Sequence, residues 1–174
     1  GLKVDDIITR IDGEPVESSR PEEIEVLAQM IRQYKIGSTV ELTVLRSPDY
    51  KPQPVKCTLM ERPKPAIQMR HYKDENFEFE VRDITYMDRV TEGWEKTQGG
   101  AIVVSVESGG WAALAHLGIG DLILSVDHIP IENVAGLETY MKTLAEKRPQ
   151  HVVFFVKRGI HTTFLEIEPA WGPQ

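Results

Sequence analysis

The phrase GLKVDDIITRIDGEPV opens the chain, and LGIGDLILSVDHIPI returns it more than a hundred residues later. Leu2 matches Leu117, Val4 Ile119, Asp6 Asp121, Ile8 Ile123, Ile11 Val126, Asp12 Asp127, Pro15 Pro130 and Val16 Ile131, all at one offset, 117 − 2 = 115 residues. A gapless likeness at that period is too long for the units of solenoids, which repeat every 20–50 residues or so. Two copies of one small domain follow. Few folds accommodate that in 174 residues, since small domains run to about 50–100 residues each.

Between the copies lies RPKPA, Arg62 to Ala66, whose prolines favour an extended and fairly stiff connector. The expected division is 1–62 for the first copy, 63–66 for the connector and 67–174 for the second copy. In the first copy, Asp12-Gly13 marks a turn between two short strands. A helix is expected over Pro21–Tyr34, with Pro21, Glu22 and Glu23 in its first turn, Gly37 closing the segment, and a stripe of Ile24, Leu27, Ala28 and Ile31. STVELTVLR should be a half-buried strand pointing Val40, Leu42 and Val44 inward. SPDYKPQP reads as a turn and VKCTLME as the returning strand.

In the second copy, ENFEFEVRDIT alternates Phe77, Phe79 and Val81 as a strand does. TYMDRVTEGW reads as a short helix capped by Thr85 or Asp88. GGAIVVSVESGG is a strand closed by glycines, and WAALAHL is a second short helix. ENVAGLETYMKTLAEK is the long helix, with Leu137, Tyr140, Met141 and Leu144 on one stripe. HVVFFVKRG and HTTFLEIEP form a hairpin around Arg158-Gly159. Strands and unequal helices without βαβ regularity give an α+β class: two domains, each a small, partly open barrel or sandwich with two helices, the first incomplete.

The net charge of −7 argues against nucleic acid, which calls for a concentrated basic face. No apolar run approaches the roughly 18 residues that suggest a membrane span, so no membrane insertion is expected in this stretch. The single cysteine, Cys57, excludes an intrachain disulfide and reads as a small strand residue. His71, His116, His128, His151 and His161 are scattered, without metal-ligand spacing. Ser108 lies in no nucleophile turn, and Gly118-x-Gly120 lacks the third glycine of a dinucleotide cradle. The stretch is therefore expected to be non-catalytic, with no cofactor and no metal.

A short helix ending in leucine, then xxGD, then IIxxIDGxPV and a long helix, resembles bacterial PDZ domains. GLKVDDIITRIDGEPV through TVELTVLR resembles the second half of one such domain. GGAIVVSVESGGWAALAHLGIGDLILSVDHIPI through HVVFFVKRG resembles another. Tandem modules of this kind are similar to those of HtrA-type envelope serine proteases and related periplasmic regulators. The resemblance implies that the first copy's opening strands precede Gly1, leaving a half-domain that is less stable or borrows a strand. It implies a bacterial periplasmic or envelope location and a parent that is a serine protease.

The implied function is binding of peptides, as protein C-termini or unfolded segments. Such domains add a peptide as a strand at a sheet edge beside the long helix. In the second copy the implied edge strand is Phe77–Arg82 and the helix Val134–Ala145. Phe77-Glu78-Phe79 is the closest match to the apolar–Gly–apolar loop whose N–H groups hold a terminal carboxylate. The implied site residues are Phe77, Glu78, Phe79, Val81, Leu137, Tyr140, Met141 and Leu144. Glu78 departs from the pattern: its Cβ restricts the backbone, and with Glu75 and Glu80 it repels an incoming carboxylate. The alternative is an architectural module that mediates packing or oligomerisation, favoured if the connector or a neighbouring copy fills the groove.

Overall fold

Strand β1 (Ile7–Ile11) turns through Asp12-Gly13 into β2 (Glu14–Pro15), and β1 also pairs antiparallel with β3 (Thr39–Arg46). With β4 (Lys51–Thr58) they form an open sheet in the order β2-β1-β3-β4. The computed structural model describes residues 1–16, 24–169 and 171, and the chain divides into two units, Gly1–Arg62 and Pro63–Gln174. Helix α1 of the first unit spans Ile24–Arg32; Pro21, Glu22 and Glu23 lie outside the described residues. Ile11, Val40, Leu42 and Val44 are its buried core, against which Met30, Ile31, Tyr34 and Cys57 pack. The alternation read for β3 holds.

KPQP was expected in a turn but is the start of β4. Proline lacks the donor a central strand needs, yet an edge strand has one side free, and β4 is an edge.

The second unit forms an open sheet ordered β11-β10-β8-β7-β6-β5. These strands are β5 (His71–Asp74), β6 (Phe79–Asp83), β7 (Ala101–Val106), β8 (Leu122–Val126), β10 (Val152–Arg158) and β11 (His161–Ile167), with β9 (Ile129–Pro130) attached to β8. Among the described residues the α-helices that accompany it are α2 (Tyr86–Glu92), α3 (Trp111–Leu114) and α4 (Val134–Lys147). Both sheets stay open, so the α+β sandwich is the form each unit takes. Thr85 is the N-cap of α2 and Asp88 completes its capping box, while Gly93 ends the helix at φ 66°. One core gathers Phe77, Phe79, Val81, Ile123, Leu137, Met141, Phe154 and Ile167.

The repeated phrase takes one path in both units. β1 and β8, and β2 and β9, have matching bounds, and each first strand carries a register shift at the same place, Ile8/Arg10 and Ile123/Ser125. Asp12 and Asp127 both take left-handed backbone, at φ 47° and 45°. The aspartates of the upstream turn accept backbone N–H groups, Asp6 from Lys3 at 2.8 Å and Asp121 from Gly118 at 2.9 Å. Sequence reading missed their arginines. Arg46 grips both Asp6 oxygens at 2.7 Å, and Arg158 grips those of Asp121 at 2.7 and 2.6 Å.

The Arg46–Asp6 clamp and a second one, Arg82 on Asp88 at 2.6 and 2.8 Å, set an acid limit. Hydrogen bonds from Arg46 and the Lys3 N–H hold the Asp6 carboxyl down at about 2. Burial pushes Asp88 up, but its bonds from Arg82 and Thr85 outweigh that and bring it to about 2. An unfolded chain protonates these groups near pH 4. Stability from their depressed values is present above pH 4 and is lost as pH falls towards 2. Circular dichroism followed across that window should show both units losing resistance to urea; unchanged midpoints down to pH 2 would refute the clamps' role.

Candidate functional site

The long helix starts at Asn133, whose side chain accepts the Gly136 N–H at 3.0 Å. The Val134 N–H donates to Asp83 Oδ1 at 2.7 Å, which ties the first turn of α4 to the end of β6. From that anchor Val134, Leu137, Met141 and Leu144 face inward, one helical turn after another. The spacing that marked the stripe in the sequence is what buries it.

The channel between β6 and α4 holds a strand of the chain itself. β5 pairs antiparallel with β6 over four residues, His71 with Arg82, Tyr72 with Val81, Lys73 with Glu80 and Asp74 with Phe79. α4 packs on β5 as well as on β6. β6 is thus interior, flanked by β5 and β7, which corrects the expectation that Phe77–Arg82 is an edge strand. The strand proper also begins later, at Phe79. The physical reason is a tight reversal: the Glu78 N–H donates to the Asp74 carbonyl at 2.9 Å, folding the preceding residues back onto β6.

Asp74 organises that reversal. Its carboxylate is buried and accepts the N–H groups of Asn76 at 2.9 Å and Phe77 at 3.0 Å. Its other oxygen accepts the Tyr72 hydroxyl at 2.7 Å. The Tyr72 ring packs on the core, and burial first, then the Asp74 bond, pushes its phenol far above the usual range. Arg70 reaches α4, pairing with Glu138 at 2.7 Å. Hydrogen bonds from Lys142 and Arg70 hold the Glu138 carboxyl below its ordinary value.

Of the residues named from the sequence, Phe77, Phe79, Val81, Leu137, Met141 and Leu144 come together in the core, and Tyr140 packs at its margin. Burial, with Asp127 nearby, raises the Tyr140 phenol. Glu78 stands apart. It takes φ 62°, the left-handed conformation that suits glycine, and its Oε2 accepts the Trp111 N–H at 2.9 Å at the start of α3. Tyr72, Asp74, Arg70 and Glu138 were missed. The signal was the pair Tyr72-x-Asp74, two residues on one face of a strand, too short to read as one.

Among the described residues no group of three or more His, Cys, Asp or Glu is placed to hold a metal ion, and no helix is long and apolar enough to cross a membrane. No curated protein matches the chain. It is similar in part to the solved structure of the HtrA-type protease AlgW with a decapeptide, at 25% identity and a TM-score of 0.47, over 61% of this chain and 30% of that one. It thus spans under a third of the AlgW chain. It is also similar to the HtrA3 PDZ domain bound to a phage-derived ligand (FGRWV), at 20% identity and a TM-score of 0.44, over 59% of this chain and 86% of that one. A PDZ domain model matches residues 68–168, more than half of the sequence, which sets this chain among its members: it belongs to the PDZ domain family.

Proposed function

We propose that the chain is a non-catalytic peptide- and protein-binding module that takes apolar termini or unfolded segments as an added strand beside β6. Its setting in this reading is substrate recognition or regulation in an HtrA-type envelope serine protease of bacteria. One observation carries it: the channel between β6 and α4 already accommodates an antiparallel strand, which is how peptide ligands join such sheets. Phe79, Val81, Leu137, Met141 and Leu144 would form the apolar wall behind an incoming strand, with Phe77 and Tyr140 at its ends. The Phe77-Glu78-Phe79 loop would meet its terminus.

The first unit is read as the C-terminal part, 1–62, of a first PDZ-like domain. Its Ile7 is 51% exposed where the counterpart Leu122 is fully buried, and Leu2 is 47% exposed against 4% for Leu117. In the second unit β7 pairs with β8 at Leu122 and Ile123. The matching edge of β1 is where self-association by strand exchange would occur. An architectural role is the second reading: with β5 and β7 both paired, β6 has no free edge, and the channel would then serve packing alone.

Titration of fluorescein-labelled decapeptides with apolar ends into the full chain, followed by anisotropy, should give saturable binding; none at any concentration would leave the architectural reading. Glu78→Gly should tighten free-carboxylate peptides about fivefold by removing a like charge worth about 1 kcal/mol. Amidated peptides should not respond. An equal gain for both would remove carboxylate capture from the proposal.

A further inference from the structure

We propose that β5, preceded by Arg70, is a built-in occupant of the peptide channel that any ligand must displace, so that binding is an exchange of one strand for another. This rests on the peptide-binding reading above. Arg70–Asp74 reproduces what an added strand would contribute. Four residues pair with β6 in antiparallel register, ending at Phe79, where the loop begins. The Tyr72 ring supplies the apolar side chain against the core. The Asp74 carboxylate supplies the anion, and it occupies the N–H of Phe77, the first residue of the loop, and that of Asn76 just before it. Arg70 fastens the other end to α4 through Glu138.

Each element of a peptide complex is therefore already satisfied from within. A ligand strand cannot reach β6 while β5 is paired, because a strand has only two edges and β7 holds the other. β5 is short, four residues against the five to seven of β6, β7, β8, β10 and β11, and it pairs along one edge only. The Arg70 and Lys73 side chains are more than half exposed, and β5 has the sheet's end to itself. Elements of that kind open locally without global unfolding. The apparent affinity of a ligand is reduced by the fraction of molecules in which the channel is open.

Two opposite manipulations test this on the full chain. The probe is a fluorescein-labelled peptide of residues 65–74, PAIQMRHYKD, with a free carboxyl end. Arg70→Glu sets a repulsion against Glu138, and Tyr72→Ala removes the ring. Each should tighten the probe at least tenfold, about 1.4 kcal/mol. Lys73→Cys with Glu80→Cys, in a Cys57→Ser background, locks the strand. The Asp83 N–H donates to the Arg70 carbonyl, so by alternation Lys73 and Glu80 face each other as a non-hydrogen-bonded pair, the closer kind. Oxidation should abolish binding and reduction should restore it.

Binding that is equal in wild type, released and locked chains overturns the displacement idea and leaves the binding reading intact. A folded Arg70→Glu chain that binds neither this probe nor apolar-ended peptides overturns both. If Tyr72→Ala fails to fold, Arg70→Glu and the lock still decide, since neither touches the core.

Discussion

Leu137→Arg should unfold the second unit instead of merely closing its channel. Leu137 is fully buried among Phe77, Phe79 and the other core residues, so the substitution places a guanidinium where it finds no partner and no water. An uncompensated buried charge costs about 3–5 kcal/mol, comparable with the whole stability of a small domain. A gentler effect, a loss of peptide affinity alone, would require the Leu137 side chain to face an open channel, and it is fully buried. Urea denaturation followed by circular dichroism separates the two. A midpoint within error of wild type, with peptide binding lost, would show that Leu137 faces the channel and that its burial is not structural.

Phe77→Ala should be nearly as severe, for a different reason. The ring sits edge-on to Phe79 at 6.3 Å and to Trp171 at 5.6 Å, and 5.7 Å from Phe154. Truncation leaves a cavity bounded by rings that cannot collapse into it, and Phe→Ala in such sites costs about 3–5 kcal/mol. Trp171 reports the change, because its indole N–H is held by the Pro149 carbonyl at 2.8 Å and its ring by Phe77. The variant should lose several kcal/mol of stability and shift the tryptophan emission to longer wavelength. A loss below about 1 kcal/mol would mean that the cluster repacks and is not the centre of the core.

The repeat made much of this fold legible. Two phrases at one offset give the same strands, the same turn and the same bulge, because the Asp12 and Asp127 turns and the apolar positions around them are local requirements. Periodicity likewise located α4 and its buried face. What stayed hidden depends on pairing at a distance or on segments too short to carry a pattern. Arg158 is 37 residues from Asp121, and nothing in its neighbourhood announces a carboxylate partner. HYKD offers one aromatic among polar residues, so its place beside β6 follows from the reversal at Asp74 and not from its own composition. The loop was recognised by its apolar flanks, yet Glu78 was read as an obstacle. In the structure it adopts the glycine conformation and ties itself to α3.

The reversal that returns β5 to β6 spans only residues 75–78. A segment on so short a tether presents itself to its channel at a local concentration on the order of millimolar, however dilute the protein. Hairpins of this kind also re-form within about 1–10 μs, faster than a free peptide at micromolar concentration arrives by diffusion. A ligand that merely copies the four-residue pairing therefore loses by about a thousandfold. Only one that brings more wins: a longer strand, contacts beyond the channel, or many copies presented together. On the binding reading proposed above, a long extended segment would meet that demand and a short one would not, so the tether itself would act as a filter on ligand length.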